Sequence, residues 1–70
     1  MKIYTQNRER IVDMPLELRI VSGGTSSVIV GNGFKDPVLG KYAPGRAKEV
    51  LREIFQYYRS GKNSYIMPLE

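Results

Sequence analysis

One segment of this chain, Pro44 to Ser60, repeats its apolar residues at helical spacing, while the segments around it repeat at a period of two. Ala47, Val50, Leu51, Ile54, Tyr57 and Tyr58 fall on the i, i+3, i+4, i+7 pattern of a buried stripe, with Phe55 at its edge. Arg46, Lys48, Glu49, Arg52, Glu53, Gln56 and Arg59 take the other side. Pro44 suits the first turn, where its missing N–H would have no helical partner anyway. Gly61 suits the left-handed position after the last turn, with Arg59 and Lys62 near the negative end of the helix dipole. A lone helix with one apolar face must bury that face, and only strands are on hand to receive it.

Residues 2–6 alternate, with Ile3 and Thr5 on one side and Lys2, Tyr4 and Gln6 on the other. Residues 10–14 alternate as well, and the polar stretch Gln6-Asn7-Arg8-Glu9 between them predicts a β-hairpin. Pro15 marks a break. Residues 16–22 then place Leu16, Leu18 and Ile20 inward, against Glu17 and Arg19 outward. Gly23-Gly24 supplies a tight turn, and the β-branched run 26–30 is the returning strand. Asn32-Gly33 predicts a second hairpin turn leading to a strand over 38–42. A short strand over 64–67, closed by Pro68, ends the series.

The fold class expected is α+β, in a single domain over residues 1–70. It consists of an antiparallel sheet of about five strands, one amphipathic helix packed across it and a short C-terminal strand. Six or seven apolar helix side chains are expected to be buried. A chain of 70 residues has little core to spare. It contains no Cys and no His, so disulfides are excluded and a structural zinc site nearly so. Packing must supply the stability. Apolar content of 41% with 26% charged residues argues against disorder. No apolar run approaches the roughly 20 residues of a membrane-spanning helix. The first seven residues hold no apolar leader region, so a cytoplasmic setting is expected.

Three stretches carry a resemblance. Met1-Lys2-Ile3-Tyr4-Thr5-Gln6-Asn7 resembles the M-x-I-x-T-Q-N/D opening of many small uncharacterised proteins of Gram-positive bacteria and their phages. Leu39-Gly40-Lys41-Tyr42, followed by Arg46-Ala47-Lys48-Glu49-Val50-Leu51, resembles their L-G-x-Y … R-A-x-E-V-L segment. Ser64-Tyr65-Ile66-Met67-Pro68 resembles their closing Y-x-M-P. The likeness spans nearly the whole length and implies the same strand-to-helix architecture, in a phage or mobile-element accessory protein. It implies no particular activity. The chain departs from the pattern at Ala43-Pro44-Gly45, where an acidic or hydroxyl capping segment is usual.

Catalysis needs an acid, a base or a nucleophile in a shielded site. With no His or Cys, only seven carboxylates and the serines remain. Glu49 and Glu53 stand one turn apart on the polar helix face, beside Arg46, Lys48 and Arg52, which reads as a solvated pair. Asp36 falls in a loop. Neither glycine pair leads into a helix as a phosphate-binding loop does. The expectation is therefore no enzyme, no cofactor, no metal and no small-molecule substrate. Two binding readings remain. A net charge of +4 permits nucleic acid, with Lys2, Tyr4, Arg8, Arg10 and Arg19 as the contact face of the N-terminal hairpin and its neighbour. Glu9, Asp13 and Glu17 dilute that field. Five tyrosines and two phenylalanines point instead to protein association. The interface would be formed by Tyr57, Tyr58 and Tyr65 or by a strand edge, with another protein or a second copy as partner. The protein-interaction module is the leading reading.

Overall fold

The structure is a computed structural model and describes residues 1–31 and 38–70. The elements are β1 (Lys2–Tyr4), β2 (Ile11–Asp13), β3 (Leu18–Gly23), β4 (Ser26–Gly31), β5 (Val38–Tyr42), α1 (Pro44–Arg59) and β6 (Ser64–Ile66). The expected Asn32-Gly33 turn and Asp36 lie outside the described residues. The α+β class stands, with one helix packed against strands. The strands divide into two sheets of three, in the orders β2-β1-β6 and β3-β4-β5. Within the sheets β1–β2, β3–β4 and β4–β5 pair antiparallel, as hairpins require. Strand β6 arrives through α1 and runs parallel to β1, with Tyr65 opposite Ile3.

Helix α1 starts at Pro44 without a side-chain cap and ends at Ser60, whose N–H bonds back to Gln56 O. Gly61 then takes φ 75°, the left-handed turn expected of it. The helix buries Ala47, Val50 and Ile54 against Ile3, Ile29, Leu39, Tyr42, Tyr65 and Met67. Leu51 is half-buried, and Phe55, Tyr57 and Tyr58 stand largely outside. The buried stripe is thus narrower than the apolar stripe in the sequence. Its floor is only two short sheets, wide enough for the i, i+3, i+7 line through Ala47 and little beside it. Leu16 is also outside rather than inside: Pro15 interrupts the alternation and pairing resumes only at Leu18.

The sheets share no strand, and a local irregularity joins them. In the β4–β5 ladder Ile29 faces Gly40 but Val30 faces Val38, so Leu39 is an extra, bulged residue. Its carbonyl, turned out of the ladder, accepts from Gln6 N–H at 2.9 Å. The Gln6 side chain completes the junction. Its Oε1 accepts from Lys41 N at 2.6 Å and its Nε2 donates to Lys41 O at 3.0 Å, so the amide imitates a strand partner on the free edge of β5. Gln6 Nε2 also donates to Leu69 O at 2.9 Å.

On the β6 side the parallel ladder runs from Lys2 N–H to Asn63 O and from Met67 N–H to Tyr4 O. Its alternation would next send Gln6 N–H to Met67 O. Gln6 has gone to Leu39, and Arg8 fills the gap: its Nη1 donates to Met67 O at 2.7 Å and to Thr5 O at 3.0 Å. Arg8 holds φ 62° to do so, a strained setting for a residue with a Cβ.

Gly40 has a packing role. A Cβ there would come within 2.7 Å of the Tyr42 ring, which lies across it. Tyr42 in turn donates its hydroxyl to Pro68 O at 2.7 Å, fastening the C-terminal residues to β5.

Two stability outcomes follow from this packing. Ile54→Ala should cost about 2–5 kcal/mol, a large part of what so small a domain has, whereas Phe55→Ala should cost under about 1 kcal/mol. Urea denaturation of the two variants decides it, and equal costs would contradict the packing described. Gln6→Ala, which removes three hydrogen bonds at a partly exposed junction, should cost about 1–3 kcal/mol in the same assay.

Candidate functional site

The sequence suggests two clusters, and the structure redistributes both. Lys2 is paired with Asp13 across the β1–β2 ladder, and that pairing holds the Asp13 carboxyl below its ordinary value. Tyr4 donates its hydroxyl to Arg8 O at 3.2 Å. The Arg8 guanidinium lies 5.2 Å from the Tyr4 ring centroid, in cation–π contact, with its Nη1 on the carbonyls of Thr5 and Met67. Arg8 is therefore half-buried and spends its Nη1 on contacts within the fold. Arg10 is exposed at the foot of the hairpin, and Arg19 belongs to β3, in the other sheet, where it is engaged within the chain. The five residues do not form one face of one ribbon.

The tyrosines separate too. Tyr65 is only 2% exposed, because β6 runs beside β1 and turns this residue under α1. Its hydroxyl donates to Glu53 Oε1 at 2.7 Å. Tyr57 packs edge-on against it, with ring centroids 4.9 Å apart and planes at 87°. Tyr65 is thus a core residue rather than an interface residue. Tyr57 is 38% exposed and Tyr58 57%. The Glu49–Glu53 pair is likewise split between partners: Glu49 Oε1 accepts from Arg46 Nη1 at 3.3 Å, and Glu53 holds Tyr65.

A third grouping is better defined than either. The β2–β3 connection carries Met14, Pro15 and Leu16 to the side of α1 that bears Leu51, Phe55 and Tyr58. Leu16 is 99% exposed and Phe55 58%. Between Leu16, Leu51 and Phe55 lies a cleft of about 240 Å³, floored by Met14, Leu18 and Ile54. Adjoining it, a second of about 310 Å³ lies between Met1, Leu16 and Tyr58. The two share Met14, Pro15 and Leu16, so together they form one groove, mainly apolar in the first cleft and mixed in the second. Leu16, Phe55 and Tyr58 are thus exposed apolar side chains grouped along one groove. Of the interface residues expected from the sequence, only Tyr58 lies on this surface. Alternation over 16–20 places Leu16 with the inward Leu18 and Ile20, and Pro15 is the local signal against that.

A wider cleft of about 650 Å³ opens at the start of α1, between Ser26, Lys41, Arg46 and Glu70. Arg46 Nε there donates to Glu70 O at 3.0 Å, so the last residues of the chain occupy its rim. Among the described residues no group of three acidic side chains is placed to hold a metal ion, and no helix is long and apolar enough to cross a membrane.

No protein-family model matches this chain, and neither a curated protein nor a solved structure matches it.

The buried phenols set an alkaline limit. Burial pushes the Tyr42 hydroxyl up to about 12, against the opposing pull of Arg46 and Arg8. Burial first, and then the hydrogen bond to Glu53, raises Tyr65 as well. A raised phenol keeps its proton in the folded state while the unfolded chain loses its own near pH 10. The stabilisation is therefore complete below about pH 10 and falls as pH climbs toward the folded value. Each phenol should contribute a loss of up to about 1.4 kcal/mol per pH unit between about pH 10 and 12. Urea midpoints measured across that range should fall steeply in the parent and less steeply in the Tyr42→Phe, Tyr65→Phe double variant. Equal slopes would show that the phenols ionise without unfolding.

Proposed function

We propose that this chain is a small non-catalytic protein-interaction module, cytoplasmic and of the accessory type found in Gram-positive bacteria and their phages. It meets its partner through the groove between the β2–β3 connection and the outer side of α1. The observation that carries this reading is Leu16, Phe55 and Tyr58 standing in solvent around a floor of half-buried Met14, Leu18 and Leu51. Exposing so much apolar surface costs solubility, and a binding partner is the ordinary reason for keeping it. Tyr57 and Tyr65 lie outside the groove, in contact with each other on the Glu53 side of α1. The nucleic-acid reading has less to stand on, since Lys2 is paired with Asp13, Arg8 spends its Nη1 within the chain and Arg19 lies in the other sheet.

Affinity capture from the native host, using the parent and a Leu16→Ser, Phe55→Ser variant, tests the proposal. Proteins retained by the parent should be lost from the variant, whose thermal midpoint should stay within a few degrees of the parent's. A partner set that is unchanged in the variant would sink the reading. So would salt-sensitive retention of DNA or RNA that the variant keeps and an Arg10→Ala, Arg19→Ala variant loses.

A further inference from the structure

The groove has a charged wall. At about 100° per residue, Lys48, Arg52 and Arg59 fall within about 60° of Phe55 around α1, and Glu49 and Glu53 fall on the far flank. The helix is thus divided lengthwise by charge. Its acids are spent internally, on Arg46 and Tyr65. Among the described residues Lys48, Arg52 and Arg59 have no ion-pair partner. Arg52 stands at the crest and also borders a shallow cleft with Glu49 and Glu53, so Lys48 and Arg59 mark the flank most cleanly. Glu17, beside the facing wall, is already held by an interaction within the chain.

We infer that the groove takes an acidic amphipathic protein segment, whose apolar side chains enter the two clefts while its Asp or Glu residues line up along Lys48, Arg52 and Arg59. This deepens the interaction reading and rests on it. Two features favour a peptide over a flat lipid surface or a nucleic acid. The clefts of about 240 and 310 Å³ are concave and of side-chain size. The first is lined mainly by apolar surface and the second mixes apolar and polar surface; between them they carry the anchoring Leu16, Phe55 and Tyr58, while the cations of α1 stand to one side. Lys48 and Arg59 are about 16 Å apart along the helix, the span of about five extended residues or three helical turns. A segment of that length fills the groove.

The test is selection from a displayed library of random twelve-residue peptides on the immobilised full chain. Peptides rich in Asp or Glu together with Leu, Phe or Trp should be enriched. The best of them should bind about five- to thirty-fold more weakly to a Lys48→Gln, Arg52→Gln, Arg59→Gln variant, the scale of three exposed ion pairs. Added salt should weaken them in the same direction. These substitutions are on the surface, and circular dichroism checks that the variant keeps its helix. Apolar peptides without acidic bias, lost on Leu16→Ser, Phe55→Ser but indifferent to the glutamine variant, would overturn this inference and leave the interaction reading standing. No enrichment at all would overturn both. Co-sedimentation with phosphatidylserine vesicles, or binding of a thymidine oligonucleotide, that the glutamine variant loses while selection yields no acidic peptide, would assign the cationic wall to a membrane or a nucleic acid instead.

Discussion

The core that α1 shares with both sheets is the constraint on which this fold depends, and the grip of the Gln6 amide on both backbone groups of Lys41 sets the junction between them. Each sheet alone has three strands, and those of the first sheet are three residues long. So small a sheet is marginal in water unless something covers it. The bulge at Leu39 makes the junction accessible, because an extra residue in β5 turns one carbonyl away from β4 and toward β1. Once joined, the sheets offer α1 a single floor, and the helix packs on β3, β4, β5 and β6 together. Removing the junction would leave two ribbons beneath one helix, each with an unpaired edge.

A chain without cysteine or histidine has few ways to fasten its ends, and this one uses a phenol, an amide and a guanidinium. Tyr42 binds Pro68 O, Gln6 binds Leu69 O and Arg8 binds Met67 O. All three draw the residues after β6 onto β1 and β5. Hydrogen bonds to backbone carbonyls are modest singly, but a partner left unsatisfied in a half-buried position costs more than the bond gains. The strained φ of Arg8 fits the same logic. The local cost is offset by two hydrogen bonds and a ring contact that a relaxed turn would forgo.

The exposed apolar groove is a by-product of that economy. The floor is narrow, so α1 cannot hide its whole stripe, and Phe55 and Tyr58 spill over its edge. The β2–β3 connection, stiffened by Pro15, comes alongside and adds Leu16. The charge division of the helix falls on the same line, because the acids nearest the core are taken up by Arg46 and Tyr65. Apolar surplus and uncompensated cations therefore meet along one edge of the molecule.

The order of elements was legible from the residues alone, and the helix and strands lie within a residue or two of where periodicity places them. Turn residues and apolar spacing act over a few positions, so they can be read without knowing the fold. Pro15, Gly24 and Gly61 each did locally what their chemistry requires. Other features needed the tertiary structure. The division into two sheets, the parallel entry of β6, the burial of Tyr65 and the exposure of Leu16 all depend on pairings across the length of the chain and on the width of the floor beneath α1. Alternation says which side chains share a face, but not whether that face meets the core. That is settled only when Gln6 finds Lys41 and the space under the helix runs out.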